Sequence, residues 1–176
     1  QLWAVTFTRG ATEAFRLLEP LEAAELGAIE RGQLMVMRPL LLGMLDRIDE
    51  SYEALQQVAA LQLPLDRFAQ GILAISRATV LMMLGRYSEA RQRADEARRS
   101  QEGAASIINQ QWSEWSEGSV DLIQGRLQQA IVRLRLAANG VGTASSGTLL
   151  AGVVLAEALY ENDQCEQAER LLRVYV

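Results

Sequence analysis

The sequence contains no lysine and no histidine, so all 17 of its basic residues are arginine. Without histidine, Ser/His/Asp and Cys/His nucleophile arrangements and histidine-ligated metal sites are excluded. The 22 acidic residues give a net charge of −5, which disfavours direct binding of nucleic acid by this segment. Carboxylates such as Glu114 and Glu117 lie on helical patterns where solvent suits them equally well. We therefore expect no enzymatic activity, no metal and no cofactor in this segment.

Cysteine, proline and long apolar runs are also scarce. The single cysteine, Cys165, excludes an internal disulfide and favours a reducing, cytoplasmic compartment. The longest apolar run, residues 148–156, is about half the length that a membrane span needs, so we expect no membrane segment. Only three prolines interrupt a chain rich in alanine, leucine, glutamate, glutamine and arginine, which indicates helices. Because helical patterns run to both ends, we expect residues 1–176 to be one domain of a larger protein.

The sequence does contain an internal repeat. Residues 84–98 read LGRYSEARQRADEAR, in which a glycine, an aromatic residue and three alanines fall at offsets 0, +2, +5, +9 and +12. Related patterns start at positions 9, 49, 125 and 163, so the five copies are separated by 40, 36, 40 and 38 residues. The residue at +5 is alanine in every copy: Ala14, Ala54, Ala90, Ala130 and Ala168. A side chain this small lets a second helix approach closely, whereas a leucine would overfill the contact.

The first residue of each copy lies between two apolar helical patterns. It is glycine or aspartate in four copies, as at Asp49, which predicts a tight turn where a positive φ is tolerated. The preceding helices are predicted over residues 35–48, 72–84, 111–123 and 149–160, and Pro39 is expected to kink or delay the first. A helix pair of this kind cannot bury its apolar face alone, so we expect the pairs to stack.

The spacing of glycine, aromatic residue and alanines in residues 85–97 resembles the second half of a tetratricopeptide repeat (TPR). Gly85, Tyr87, Ala90 and Ala97 match that family, and Ala94 is smaller than the family's residue at its position. The resemblance implies an all-α fold, a right-handed α-solenoid of about nine helices built from TPR-like helix–turn–helix repeats. The intervals exceed the ~34 residues usual in the family, and no proline closes each unit. Longer repeats of this kind, with arginine in place of lysine, resemble the repeat region of MalT-type ATP-dependent LuxR-family transcriptional regulators of bacteria.

The regulator resemblance implies a ligand- or partner-binding sensor domain. It would lie between a nucleotide-binding switch and a DNA-binding helix-turn-helix, neither of which is present in this segment. The alternative is a generic TPR protein–protein interaction scaffold unrelated to transcription, and self-association is also open.

The TPR resemblance further implies a concave groove lined by the first helix of each pair. It would bind a protein partner, a peptide or a small-molecule inducer. Seven side chains are expected there: Thr79, Met82, Trp112, Trp115, Ser119, Glu157 and Tyr160. The alternative for the two tryptophans is that their rings seal the packing between adjacent repeats.

Two further segments have simple structural explanations. Residues 139–148 are rich in glycine and serine but lack the lysine of a phosphate-binding loop, which predicts a plain connection between repeats. Cys165 occupies the +2 position of its copy, which predicts a packing role.

The arginines of residues 91–99 are interleaved with acids. Glu89 precedes Arg93, and Asp95 precedes Arg99, with the i,i+4 spacing of favourable ion pairs. This pattern predicts a solvated helix face.

Overall fold

The computed structural model describes Thr6 and residues 10–100, 107–139 and 146–174. Within these ranges the chain is all-α, as predicted, and forms nine helices. They are α1 (Ala11–Glu22), α2 (Ala28–Met44), α3 (Ile48–Leu61), α4 (Arg67–Met83), α5 (Tyr87–Ser100), α6 (Ile107–Ile123), α7 (Leu127–Ala138), α8 (Ser146–Glu161) and α9 (Cys165–Leu172).

The helices pack mainly against their neighbours in sequence. Contacts also join α2 to α4, α4 to α6 and α6 to α8, so these four helices form a row, called here the first-helix row. Apolar side chains buried between the row and the flanking helices make up the core. This sequential packing is compatible with a chain of helix-pair repeats.

Four turns between paired helices share one backbone conformation. Gly85 and Gly125 have φ of 73° and 72°, and Asp46 and Asp163 have φ of 58° and 57°. In each turn the next residue donates its backbone N–H to a carbonyl five residues back, as from Arg86 to Leu81 at 2.8 Å. Each turn is therefore a helix C-cap with one residue in the left-handed region. Its backbone N–H groups donate to carbonyls at the helix end that would otherwise lack partners.

The shared turn corrects the register predicted for the second copy. Asp49 was expected in the turn but lies in the first turn of α3, and the turn residue is Asp46. The turns at 46, 85, 125 and 163 are thus separated by 39, 40 and 38 residues. The small residue at +5 of this copy is Ser51, which is fully buried and donates from Oγ to the Pro39 carbonyl at 2.6 Å. Ala54 is also buried, but three residues farther along the helix.

The other four alanines of the repeat are buried as predicted: Ala14, Ala90, Ala130 and Ala168. The helices predicted over 72–84, 111–123 and 149–160 correspond to α4, α6 and α8. The helix predicted over 35–48 instead ends at Met44, because the turn at Asp46 closes it, and it begins earlier and continues through Pro39.

Part of the predicted connection at 139–148 is helical. Residues Ser146–Thr148 form the first turn of α8, so the connection is shorter than expected. Residues 140–145, which include Gly142, lie outside the described residues, as does Arg9, the first residue of the first copy.

Candidate apolar cavity and arginine cleft

An apolar cavity of about 500 Å³ lies along the first-helix row. Its size falls within the roughly 300–1,000 Å³ typical of small-molecule sites. Each helix of the row contributes side chains to its lining: Leu40 and Met44 from α2, Thr79 and Met83 from α4, Trp112 and Trp115 from α6, and Leu150 and Val153 from α8. Four helices that are separated in sequence therefore meet at one apolar surface.

The two tryptophans of α6 form the floor of this cavity. Their ring centroids are 5.3 Å apart at an interplanar angle of 82°, an edge-to-face contact. Both rings are buried in the core cluster that also contains Leu155 and Leu159 of α8. The rings thus do seal the packing between helices, and they also line the cavity.

Two buried polar atoms of residues that line the cavity have no hydrogen-bond partner among the described residues. They are the indole Nε1 of Trp115 and Oγ1 of Thr79. A buried polar atom without a partner costs about 1–3 kcal/mol, so these two atoms are destabilising where they lie.

The predicted groove residues divide between two cavities. Thr79, Trp112 and Trp115 line the apolar cavity, whereas Met82, Ser119 and Glu157 line a second cavity of about 610 Å³ that also reaches Trp115. Tyr160 is 64 % exposed and lines neither. No groove residue was predicted on α2, although Leu40 and Met44 of this helix line the cavity.

The opposite face of α6 carries three buried carboxylates. Glu114, Glu117 and Asp121 are 8 %, 3 % and 1 % exposed and follow one another at helical spacing. Arg133 of α7 contacts all three, with Nη1 3.0 Å from Glu114 Oε2 and 2.7 Å from Glu117 Oε2, and Nε 3.3 Å from Asp121 Oδ2. Glu114 and Glu117, for which the sequence left a solvent-exposed position equally open, are therefore buried in ion pairs.

Arginines from α5 and from the α6–α7 turn complete this network. Arg126 Nε lies 2.7 Å from Asp121 Oδ1, and Arg91 Nη2 pairs with the same oxygen. Arg98 Nε is 3.6 Å from Glu117 Oε1. The helix face predicted to be solvated thus sends two arginines to buried carboxylates on the next helix.

The ion pairs predicted within α5 are partly correct. Asp95 pairs with Arg99, as expected, and also with Arg98. Arg93 pairs with Glu96 instead of Glu89, because Glu89 is taken by Arg86 at 2.7 Å.

Burial sets the ionisation of Glu117. Removal from water raises the pKa of this carboxyl, and the nearby Glu114 adds to the rise, whereas Arg133 and Arg98 oppose it. Asp95 shows the reverse behaviour, because a hydrogen bond from Arg98 lowers its pKa.

Cys165 is exposed at the start of α9, so its predicted packing role is wrong. Tyr87, at the same repeat position, is half-buried and packs against the cluster of Leu81, Ala90 and Val120, the last of which lies on the following first helix. Among the described residues no helix follows α9 to cover Cys165 in the same way.

The described residues contain no cluster of cysteine and acidic side chains that could hold a metal ion. None of the described helices is both long and apolar enough to cross a bilayer. Comparison with protein-family models finds no matching family. Comparison with curated proteins finds no relative.

Proposed function

We propose that the domain is a non-enzymatic sensor module that binds a small, largely apolar organic ligand in the apolar cavity. The observation that carries the proposal is that all four helices of the first-helix row line one cavity of ligand size. If the row curves as a TPR-like solenoid, this cavity lies on its concave side.

The chemistry of the lining supports a ligand with an apolar body. Met83, Leu150 and Val153 are apolar side chains that line the cavity and are 39–47 % exposed. A ligand that covers these side chains would remove their apolar surface from water, which favours binding.

A ligand in this position would act on the arrangement of the whole row. It would touch α2, α4, α6 and α8 together, so it would favour whichever spacing of these helices fits it best and shift the population of states. This behaviour suits the sensor domain of a bacterial LuxR-family ATP-dependent regulator, the context that the repeat pattern supports. The coding region tests that context: a phosphate-binding GxxxxGK[ST] segment upstream and a helix-turn-helix downstream are expected.

The binding proposal is tested with N-phenyl-1-naphthylamine (NPN), a neutral apolar dye that fluoresces in apolar sites. Val153→Asp places a carboxylate at the cavity. We expect it to weaken NPN binding by about tenfold or more, because the bound dye would remove water from the charged group, which is costly. The matched control is Val132→Asp on α7, since Val132 and Val153 are 59 % and 46 % exposed and Val132 does not line the cavity. Circular dichroism verifies that both variants fold.

Equal NPN binding by the two variants would contradict the proposal. If neither the wild-type chain nor any variant binds NPN or small organic ligands, the protein–protein scaffold becomes the better account.

A further inference from the structure

A second cleft, of about 800 Å³, lies on the other side of α6 from the tryptophans. Its lining is polar and charged, and includes Arg91, Asp121, Arg126, Gln129 and Arg133. We call it the arginine cleft. It shares no lining residue with the apolar cavity, so its role is independent of the function proposed above.

Three guanidinium groups from three elements converge on the floor of this cleft. Arg91, Arg126 and Arg133 all pair with Asp121, which is fully buried, while their own side chains remain 30–37 % exposed. A guanidinium carries five N–H donors. Arg126 donates to Asp121 and Gln124, and Arg91 donates to Asp121. Both therefore keep donors without a partner among the described residues. Asp121 fixes the guanidiniums in position without saturating them.

Comparison with the preceding repeats shows that an acid is missing from this cleft. In the turns before α3 and α5, the residue after the positive-φ position is an arginine that pairs with a glutamate three residues later. These pairs are Arg47–Glu50 and Arg86–Glu89. The equivalent arginine before α7 is Arg126, but the residue three positions later is Gln129. Gln129 lines the cleft and has no negative charge to offer Arg126.

The charges around the cleft leave room for an anion. Arg91, Arg98, Arg126 and Arg133 face three carboxylates, those of Glu114, Glu117 and Asp121. The residues that line the cleft itself include three arginines, Arg91, Arg126 and Arg133, and one acid, Asp121, although the chain as a whole carries −5.

We propose that the arginine cleft binds a small oxyanion, a carboxylate or phosphate group, held by Arg126 and Arg91. The anion takes the place that the carboxylates of Glu50 and Glu89 occupy beside the equivalent arginines of the earlier repeats. Planar guanidiniums suit such groups because two parallel N–H donors match two oxygens. Asp121 is a positioning residue for the guanidiniums.

Isothermal titration calorimetry of the 176-residue chain with citrate and, separately, inorganic phosphate tests this site. Sodium chloride keeps the ionic strength constant, because surface charge effects are otherwise screened unequally. We expect saturable binding of at least one probe, and the stronger one identifies the preferred oxyanion. Gln129→Glu should weaken binding about tenfold or more, since the new carboxylate would pair with Arg126 as Glu89 pairs with Arg86.

Gln128→Glu is the matched control, because it changes the net charge equally on the same helix turn but does not line the cleft. It should leave the affinity within about twofold, the limit set by screened surface charge. Arg126→Gln should also lose binding. If that variant fails to fold, Gln129→Glu still decides, since it removes no existing ion pair.

Three results would overturn the proposal. They are absence of saturable binding for both probes, unchanged affinity in Gln129→Glu, and equal weakening by Gln128→Glu and Gln129→Glu.

Discussion

Gly118 of α6 lies directly against Leu134 of α7. A Cβ added at Gly118 would be 2.8 Å from Leu134 Cγ and 3.2 Å from Arg133 Cβ, closer than packed carbons approach. The absence of a side chain therefore lets the two helices pack at this distance. The contact also brings α7, and with it Arg133, to the carboxylates of α6.

Gly118→Ala should destabilise the domain by about 1–2 kcal/mol. The clash with Leu134 costs more than the ~1 kcal/mol that alanine gains over glycine in a helix. Gly43→Ala is the control, because a Cβ there meets Ser51 Oγ at 3.7 Å and Val80 Cγ2 at 4.0 Å, which are ordinary contacts. Urea unfolding should show Gly43→Ala to be neutral or slightly stabilising. Equal changes in the free energy of unfolding for the two variants would contradict a close approach of α7 to α6 at Gly118.

The position of the second turn is tested by two aspartate substitutions. Asp46 has a φ of 58°, so Asp46→Gly should relieve backbone strain and leave stability unchanged or slightly higher. Asp49 lies in the first turn of α3, so Asp49→Gly should cost about 1 kcal/mol through lost helix propensity and lost interaction with the helix dipole. Thermal unfolding of both variants measures the difference. A larger loss of stability from the substitution at 46 than from that at 49 would contradict this assignment and support the predicted register, in which Asp49 lies in the turn.

The helices and their packing against neighbours in sequence were largely predictable, because small residues and turn residues mark the repeat in the sequence. Gly85 and Gly125 mark turns that only a positive φ can make, and the helices follow two residues later. The second copy was misplaced because the position at +5 requires a small side chain, which need not be alanine. In this copy Ser51 occupies the +5 position. Ala54 also fits the alanine pattern, and matching the pattern to Ala54 shifts the predicted turn by three residues, from Asp46 to Asp49.

Protonation of Glu117 should make stability depend on pH. In the unfolded chain this carboxyl loses its proton near pH ~4.3, whereas burial raises its pKa in the folded chain. The wild type therefore loses stability as pH rises from the unfolded-state value through the raised folded-state value. Glu117→Gln has no such loss. Its free energy of unfolding, relative to that of the wild type, should therefore increase as pH rises across the same range.

Urea unfolding at a series of pH values, from about 4 upward, measures that difference. The groups that face Glu117 are Arg133, Arg98, Glu114 and Asp95, and they are retained in both proteins. A difference that shrinks as pH rises would mean that the attraction of Arg133 outweighs the cost of burial.

The ion pairs made by the carboxylates of α6 could not be predicted from residues that are close together in the sequence. Arg91 has acids within reach on its own helix, but its partner Asp121 lies 30 residues away in sequence. One signal was available: Glu114, Glu117 and Asp121 share one face of α6, opposite Trp112 and Trp115. Which helix covers that face depends on tertiary packing, which the spacing does not encode.

Three of the seven residues expected in the groove line the apolar cavity, and three others line the second cavity. Trp112, Trp115 and Thr79 line the apolar cavity. The two tryptophans are three residues apart on α6, and Thr79 lies on α4, the adjacent helix of the row. Met83, not Met82, lines the apolar cavity, and Tyr160 lies outside it, since repeat spacing alone does not fix which of two adjacent side chains faces a cavity.

The most direct test of the binding account is the indole N–H resonances of Trp112 and Trp115 in the ¹⁵N-labelled chain. Trp112→Phe and Trp115→Phe assign them among the three tryptophans of the sequence. During an NPN titration we predict that both resonances shift and saturate at the concentration where the dye fluorescence saturates. Saturation of the fluorescence while both indole resonances stay in place would contradict the account, since the dye would then occupy another surface.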